Sequence, residues 1–182
     1  MTKVELIPIT AALQKALEHG PETVEARHGA RLDEEVEALV REVVAQSLDL
    51  VARVPRPAPW GCYLARDANT RKLIGTCGFK AGPDKDQAVE IAYYTFPPYE
   101  GHGFATAMAK ALMEIAASSP QVRRVIAHAI VEEGASTRIL EKLGMHYTGP
   151  VKDAEEHTVG LWEEAEEGTI GLWEVRPYPP SD

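Results

Sequence analysis

The sequence predicts an α+β fold: one mixed, mostly antiparallel β-sheet with helices on both of its faces. Three observations predict it. Several short segments alternate apolar and polar residues and are rich in β-branched and aromatic side chains, the pattern of half-buried strands. The helical periodicities fall between them, giving the order β-α-α-β-β-β-α-β-α-β-β. A strand, a glycine turn and an amphipathic helix follow one another without a break at residues 89 to 115. The 182 residues suit one domain, residues 1 to 182, with a sizeable core.

Taken in order, Lys3 to Ile9 alternates and forms the first predicted strand. Ala11 to Glu18 is a short helix with Thr10 as its N-cap. Glu18 to Ala30 is polar and broken by glycine and proline, so a loop is expected. Leu32 to Val51 carries Val36, Leu39, Val40, Val43, Val44 and Leu48 on one helical face, with Asp33, Glu34 and Glu35 early enough to suit the helix dipole. The prolines at 55, 57 and 59 end that helix in an extended connector. Trp60 to Arg66 and Lys72 to Lys80 are strands joined by a turn at Asp67 to Thr70. Gly82 to Asp86 turns the chain into the strand that ends in VEIAYYTF. Beyond the central helix, Val122 to Val131 is a strand, Ala135 to Leu143 a helix stopped by Gly144, and Met145 to Val151 another strand. VGLWE at 159 to 163 and IGLWE at 170 to 174 echo each other and are expected to pair as a hairpin.

The stretch PPYEGHGFATAMAKALM, residues 97 to 113, carries the chemistry. Gly101 and Gly103 at a strand-to-helix junction allow a sharp turn and a close approach of backbone to ligand. The helix that follows begins with unpaired N–H groups bearing about half a positive charge, a binding place for phosphate or diphosphate. Gly-x-Gly alone also occurs in turns that serve geometry only. No P-loop lysine follows and the third glycine of a dinucleotide fingerprint is absent, so ATP and NAD are poor candidates.

Composition narrows the field. No apolar run approaches the ~20 residues that span a membrane, and the start of the chain lacks a secretory h-region. Cys62 and Cys77 form no metal pattern and are expected as reduced core thiols. A cytoplasmic protein without metal follows. The net charge of −9 argues against a nucleic-acid surface. Lys152 to Glu174 holds eight acidic residues against one basic, most of that excess. Either it is a solvated loop, or an acidic rim that attracts a cationic substrate.

VEIAYYTFPPYEGHGFATAMAKAL, followed some 20 residues later by GASTRILEKLGM, resembles the two signature regions of the GNAT N-acetyltransferase superfamily. It is most similar to the branch that contains the ribosomal-protein N-terminal acetyltransferases. With the flanking hairpins the resemblance covers about residues 60 to 176, and it implies the acyl-CoA N-acyltransferase fold. It further implies acetyl-CoA as co-substrate and a primary amine as acceptor, either a small molecule or a protein N-terminus. No nucleic acid or membrane partner is implied, and a homodimer is left open. The CoA diphosphate would lie on the turn around Gly101, His102, Gly103, Phe104, Ala105 and Thr106. Pantetheine would lie in a V where the strand of Tyr93 to Phe96 splays from that of Val125 to Ile130. The thioester carbonyl would meet a backbone N–H near Tyr94 or Thr95. Arg138 and Lys142 on the last helix would reach CoA phosphates or face water.

The resemblance has departures. Pro98 and Glu100 stand where the family often has Gln or Arg before the glycines, and His102 would offset Glu100 if protonated. Glu133 replaces a frequent Asn, and Leu140 falls where many members carry a tyrosine acid. Transfer needs a base for the acceptor ammonium, donors for the developing oxyanion and a proton or solvation for the departing thiolate. Glu90 matches the position of a base in some members; its alternative is an exposed strand carboxylate. Ser136 lies near the place expected for the thiol sulfur; its alternative is a first-turn helix serine. Tyr93, Tyr94 and Tyr99 are further candidates for the acid. The enzyme reading is direct transfer in a ternary complex. The second reading is a domain that binds acyl-CoA without turnover, as a sensor or interaction module.

Overall fold

The computed structural model describes residues 1–130, 135–150 and 170–175, with side chains at 1–127 and 138–146. The elements run β1 (Val4–Pro8), α1 (Ala11–His19), α2 (Pro21–His28), α3 (Glu34–Arg53), β2 (Cys62–Asp67), β3 (Leu73–Phe79) and β4 (Ala88–Thr95). They continue with α4 (Phe104–Ala117), β5 (Arg124–Ile130), α5 (Ala135–Lys142), β6 (His146–Pro150) and β7 (Ile170–Val175). Among the described residues the strands form one seven-stranded sheet in the order β1-β2-β3-β4-β5-β7-β6. Every pair is antiparallel except β4 with β5. The mixed, mostly antiparallel sheet expected from the sequence is therefore present.

Each face of the sheet carries its own core. On one face α1, α2 and α3 cover Ile7, Leu64, Leu73 and Phe96 with Leu13, Leu17, Val24 and the α3 valines 36, 40, 43 and 44. That valine spacing is one helical stripe, and each fully buried valine contributes about 1.5–3 kcal/mol. On the other face Met108, Ala109, Leu112 and Ala116 of α4 and Leu140 of α5 cover Tyr63, Ile74, Cys77, Val89 and Ile91. Gly75 lets α4 sit close: a Cβ there would meet Tyr94 O at 2.5 Å and Met108 Cε at 2.9 Å.

Two expectations are corrected. The polar stretch from Glu18 to Ala30 contains a helix, α2. Pro21 stands at its first turn and Gly29, at φ 64°, closes it, so residues that look like breakers are its start and stop signals. Val24 is its buried residue. The strand IGLWE does not take VGLWE as its hairpin partner in the sheet: β7 is paired with β5 on one side and β6 on the other. Residues 159 to 163 themselves lie outside the described residues.

The turns follow their composition. Asp67 accepts the N–H groups of Asn69 and Thr70 and the Thr70 hydroxyl. Asp84 accepts from Asp86 and Ala88, which launches β4. Cys62 and Cys77 are free thiols, and burial pushes both up from their ordinary value. No described helix is long and apolar enough to cross a membrane.

Candidate active site

The central relationship is between β4 and β5. They pair in parallel at Ala88 with Arg124, Val89 with Val125 and Glu90 with Ile126, and there the ladder stops. β4 runs on to Thr95 against β3, and β5 runs on to Ile130 against β7. Two strands that stay in the sheet but part company leave a wedge between them, where the family resemblance implies a V. Glu90 stands at its apex.

At the open end, β4 leads through Pro97–Tyr99 into the glycine turn. Gly101 has φ 75° and Gly103 φ 82°, both in the left-handed region that disfavours side chains. Gly103 is the N-cap of α4 and gives it no side-chain cap, and no acidic residue lies in the helix's first turn. The first N–H groups of α4, from Phe104 to Thr106, thus start a 14-residue helix whose dipole favours an anion. A Cβ on Gly101 would meet nothing within 4 Å, so the surface of the turn is open. His102 places Nδ1 2.7 Å from Glu100 O and 3.2 Å from Tyr99 O. Carbonyls only accept, so Nδ1 is the donor in these contacts.

On the wedge itself, strand alternation puts Val89, Ile91 and Tyr93 toward α4, and Tyr94 and Phe96 toward α1–α3. Glu90 shares the second face. Its carboxylate is nearly buried, with 11% of the side chain exposed, and Lys80 Nζ lies 2.5 Å from Oε1. Thr95 Oγ1 is buried with no hydrogen-bond partner, a polar atom at the open end of the wedge that a ligand could satisfy. Tyr93 is half-buried, and burial pushes its phenol up to about 12. An open glycine turn, an uncapped helix start and an unpartnered hydroxyl fit CoA.

Phe96 falls elsewhere among the expected residues, and exposure of Arg138 and Lys142 is compatible with either of their expected roles. Phe96 is fully buried in the α1–α3 core. Its N–H donates to Ile74 O and its carbonyl accepts from Tyr99, so it supports the turn from behind. Arg138 and Lys142 are exposed on α5. The side chain of Ser136 and the acidic stretch from 152 to 169 lie outside the described residues. Three contacts escaped the sequence reading. Lys80 meets Glu90, Tyr99 O–H donates to Asp33, and Thr2 Oγ1–H donates to His102 O at 2.8 Å. Only the first was countable: the tight β3–β4 register, with Phe79 opposite Ile91, sets Lys80 opposite Glu90. Among the described residues no group of three or more His, Cys, Asp or Glu could hold a metal.

The site is thus a strand wedge in a mixed sheet, closed by a glycine turn at the start of a helix. The chain belongs to the GNAT acetyltransferase family: the acetyltransferase (GNAT) domain model matches residues 6–146. An uncharacterized protein of Bacillus subtilis (strain 168), YkkB, is 30% identical over 93 residues, covering 50% of this chain and 53% of that protein. The uncharacterized N-acetyltransferase YoaA of the same organism is 31% identical over 84 residues, covering 46% and 48%. The chain thus spans about half the length of the curated relatives it matches. Among solved structures, the ribosomal L7/L12 α-N-protein acetyltransferase RimL in complex with CoA superposes with TM-score 0.63 at 20% identity, covering 97% of this chain and 95% of that one. A chimera of the spermidine N-acetyltransferase SpeG from Vibrio cholerae and hSSAT gives TM-score 0.63 at 12% identity, covering 96% of each. At such identities these structures support the fold, and they agree on it.

Proposed function

We propose that the protein transfers an acetyl group from acetyl-CoA to a primary amine, directly and in a ternary complex. The observation that carries this is the β4–β5 wedge ending at Glu90 and opening onto the glycine turn. Acetyl-CoA supplies an activated acyl group whose leaving thiol is already good. The chain supplies placement and proton handling. Gly101, Gly103 and the N–H groups of Phe104, Ala105 and Thr106 hold the diphosphate. The main chain near Tyr94 or Thr95 faces the thioester carbonyl, where a preorganised donor stabilises developing negative charge. Glu90 takes the proton of the acceptor ammonium, directly or through water. Ser136 or the protonated phenol of Tyr93 stands to donate toward the departing sulfur. The free thiols of Cys62 and Cys77 suit a reducing compartment such as the cytoplasm.

For the acceptor, the acidic stretch favours an amine with additional positive charge. Glu163, Glu164, Glu166 and Glu167 crowd within five residues, and like charges so close gain from a cation. Two structural neighbours act on a protein N-terminus and on spermidine by their names, which brackets the class without choosing within it. The test is a panel of polyamines, peptides and amino-acid amides with the acetylated product read by mass. Changing the four glutamates to glutamine should raise KM for a polycationic acceptor, leave KM for acetyl-CoA alone, and lose its effect as salt screens exposed charges beyond ~10 Å at 0.1 M. An acceptor KM unmoved by both mutation and salt would leave the acidic stretch as a solvated loop.

A further inference from the structure

We propose that Tyr99 and Asp33 form a latch that holds the glycine turn in its binding shape, with Lys72 as its third member. The proposal rests on the reading that this turn takes the CoA diphosphate. Asp33 stands at the N-cap of α3, a 20-residue helix. A carboxylate at an N-cap ordinarily accepts the N–H of the second or third helical residue, and Asp is among the residue types best suited to it. In α1 the N-cap Thr10 does this, accepting from Leu13 N–H at 3.2 Å. Asp33 makes no such bond. Its Oδ2 instead accepts from Tyr99 O–H at 2.8 Å and from Lys72 Nζ at 2.6 Å. The cap is given up for a contact with a residue 66 positions away.

Tyr99 lies two residues before Gly101. Its ring packs against both cores, and its N–H donates to Phe96 O at 2.9 Å. Its carbonyl meets the ring of His102, whose own carbonyl accepts from Thr2 Oγ1–H. The turn is therefore tied at one end to α3 and the β2–β3 hairpin, and at the other to the segment before β1. The charge states suit the contact. The hydrogen bond from Lys72, aided by that from Tyr99, holds the Asp33 carboxyl below its ordinary range, while burial and Asp33 itself push the Tyr99 phenol up. A turn with two glycines has much freedom to lose on binding, and holding it beforehand reduces that cost. The Tyr99 hydroxyl is engaged with Asp33, so Tyr99 is not the acid that the sequence left open for it; Tyr99 and Asp33 are positioning residues that act on donor affinity and not on the chemical step.

The test uses Tyr99→Phe, which removes one oxygen, and Asp33→Ser, which can cap α3 but is too short to hold the latch. Kd for CoA is measured by calorimetry, together with KM for acetyl-CoA, kcat at saturation and thermal stability. Each variant should weaken CoA binding about five-fold, the order of the typical net contribution of one hydrogen bond. The double variant should lose little more than either single one, because both remove the same contact. Saturated kcat and acceptor KM should stay at wild-type values, and Asp33→Ser should melt no lower than Tyr99→Phe. Wild-type CoA affinity in Tyr99→Phe, or losses that fall on kcat, would overturn the latch. Gly103→Asp is measured alongside. If it abolishes CoA binding while both latch variants bind normally, the latch alone falls; if it too binds normally, the turn is not the CoA site.

Discussion

Lys80 Nζ lies 2.5 Å from Glu90 Oε1, at the residue where β4 parts from β5. Glu90 is the carboxylate proposed above to receive the proton of the acceptor amine. The side chain makes an ion pair with Lys80 and has 11% of its surface exposed. The ion pair also ties the two strands of the β3–β4 hairpin, so Glu90 has a structural duty beside the chemical one proposed for it.

These duties separate in Glu90→Gln. The amide keeps the shape and loses the basicity. Turnover should fall by about 10²–10⁴-fold, the usual worth of a positioned base, while CoA affinity changes little. Lys80→Gln breaks the same ion pair without touching the base, so it should match the loss of thermal stability and not the loss of turnover. Wild-type turnover with an unchanged acidic limb of the pH–rate profile in Glu90→Gln would assign the proton to another group or to water.

Gly103→Asp tests the turn. Its φ of 82° is one that aspartate tolerates at modest strain, and the nearest atom to a new Cβ is Thr2 Oγ1 at 3.4 Å. The fold should survive, and circular dichroism should show it. The added carboxylate would face the incoming diphosphate at the start of α4, so calorimetry should detect no CoA binding.

Asp33 gives a pH prediction. Its carboxyl is held below the ordinary value of 3.8, first by the hydrogen bond from Lys72. A group depressed in the folded state stabilises the protein above its unfolded value and loses that contribution as pH falls through its folded value. Wild-type stability against urea should therefore fall more steeply than that of Asp33→Asn as pH drops below about 4. Parallel slopes for the two proteins in that window would contradict the assignment.

Much of this was legible because the strongest signals are periodic or sit at fixed spacing. The valine stripe of α3, the alternation in β4 and the strand–glycine–helix junction at 101 to 103 all announce themselves locally. The wedge came from family resemblance, since where two strands diverge depends on packing that neither strand encodes alone. Phe96 was misplaced because it adjoins Thr95 in the chain, yet strand alternation turns it into the opposite core. α2 was missed because Gly20, Pro21 and Gly29 mark helix ends as readily as loops. Tyr99 and Asp33 lie 66 residues apart, and nothing short of the fold brings them together.

The central claim is acetyl transfer from acetyl-CoA to an amine at the β4–β5 wedge, and amine-dependent release of the CoA thiol tests it most directly. The measurement follows free thiol with a reactive dye, with acetyl-CoA and each of a panel of amines, beside calorimetric binding of CoA. Thiol release that requires a particular amine, and that disappears in Gly103→Asp, is the expected result. Tight CoA binding with no release on any amine would contradict it and make the protein an acyl-CoA-binding sensor or interaction module.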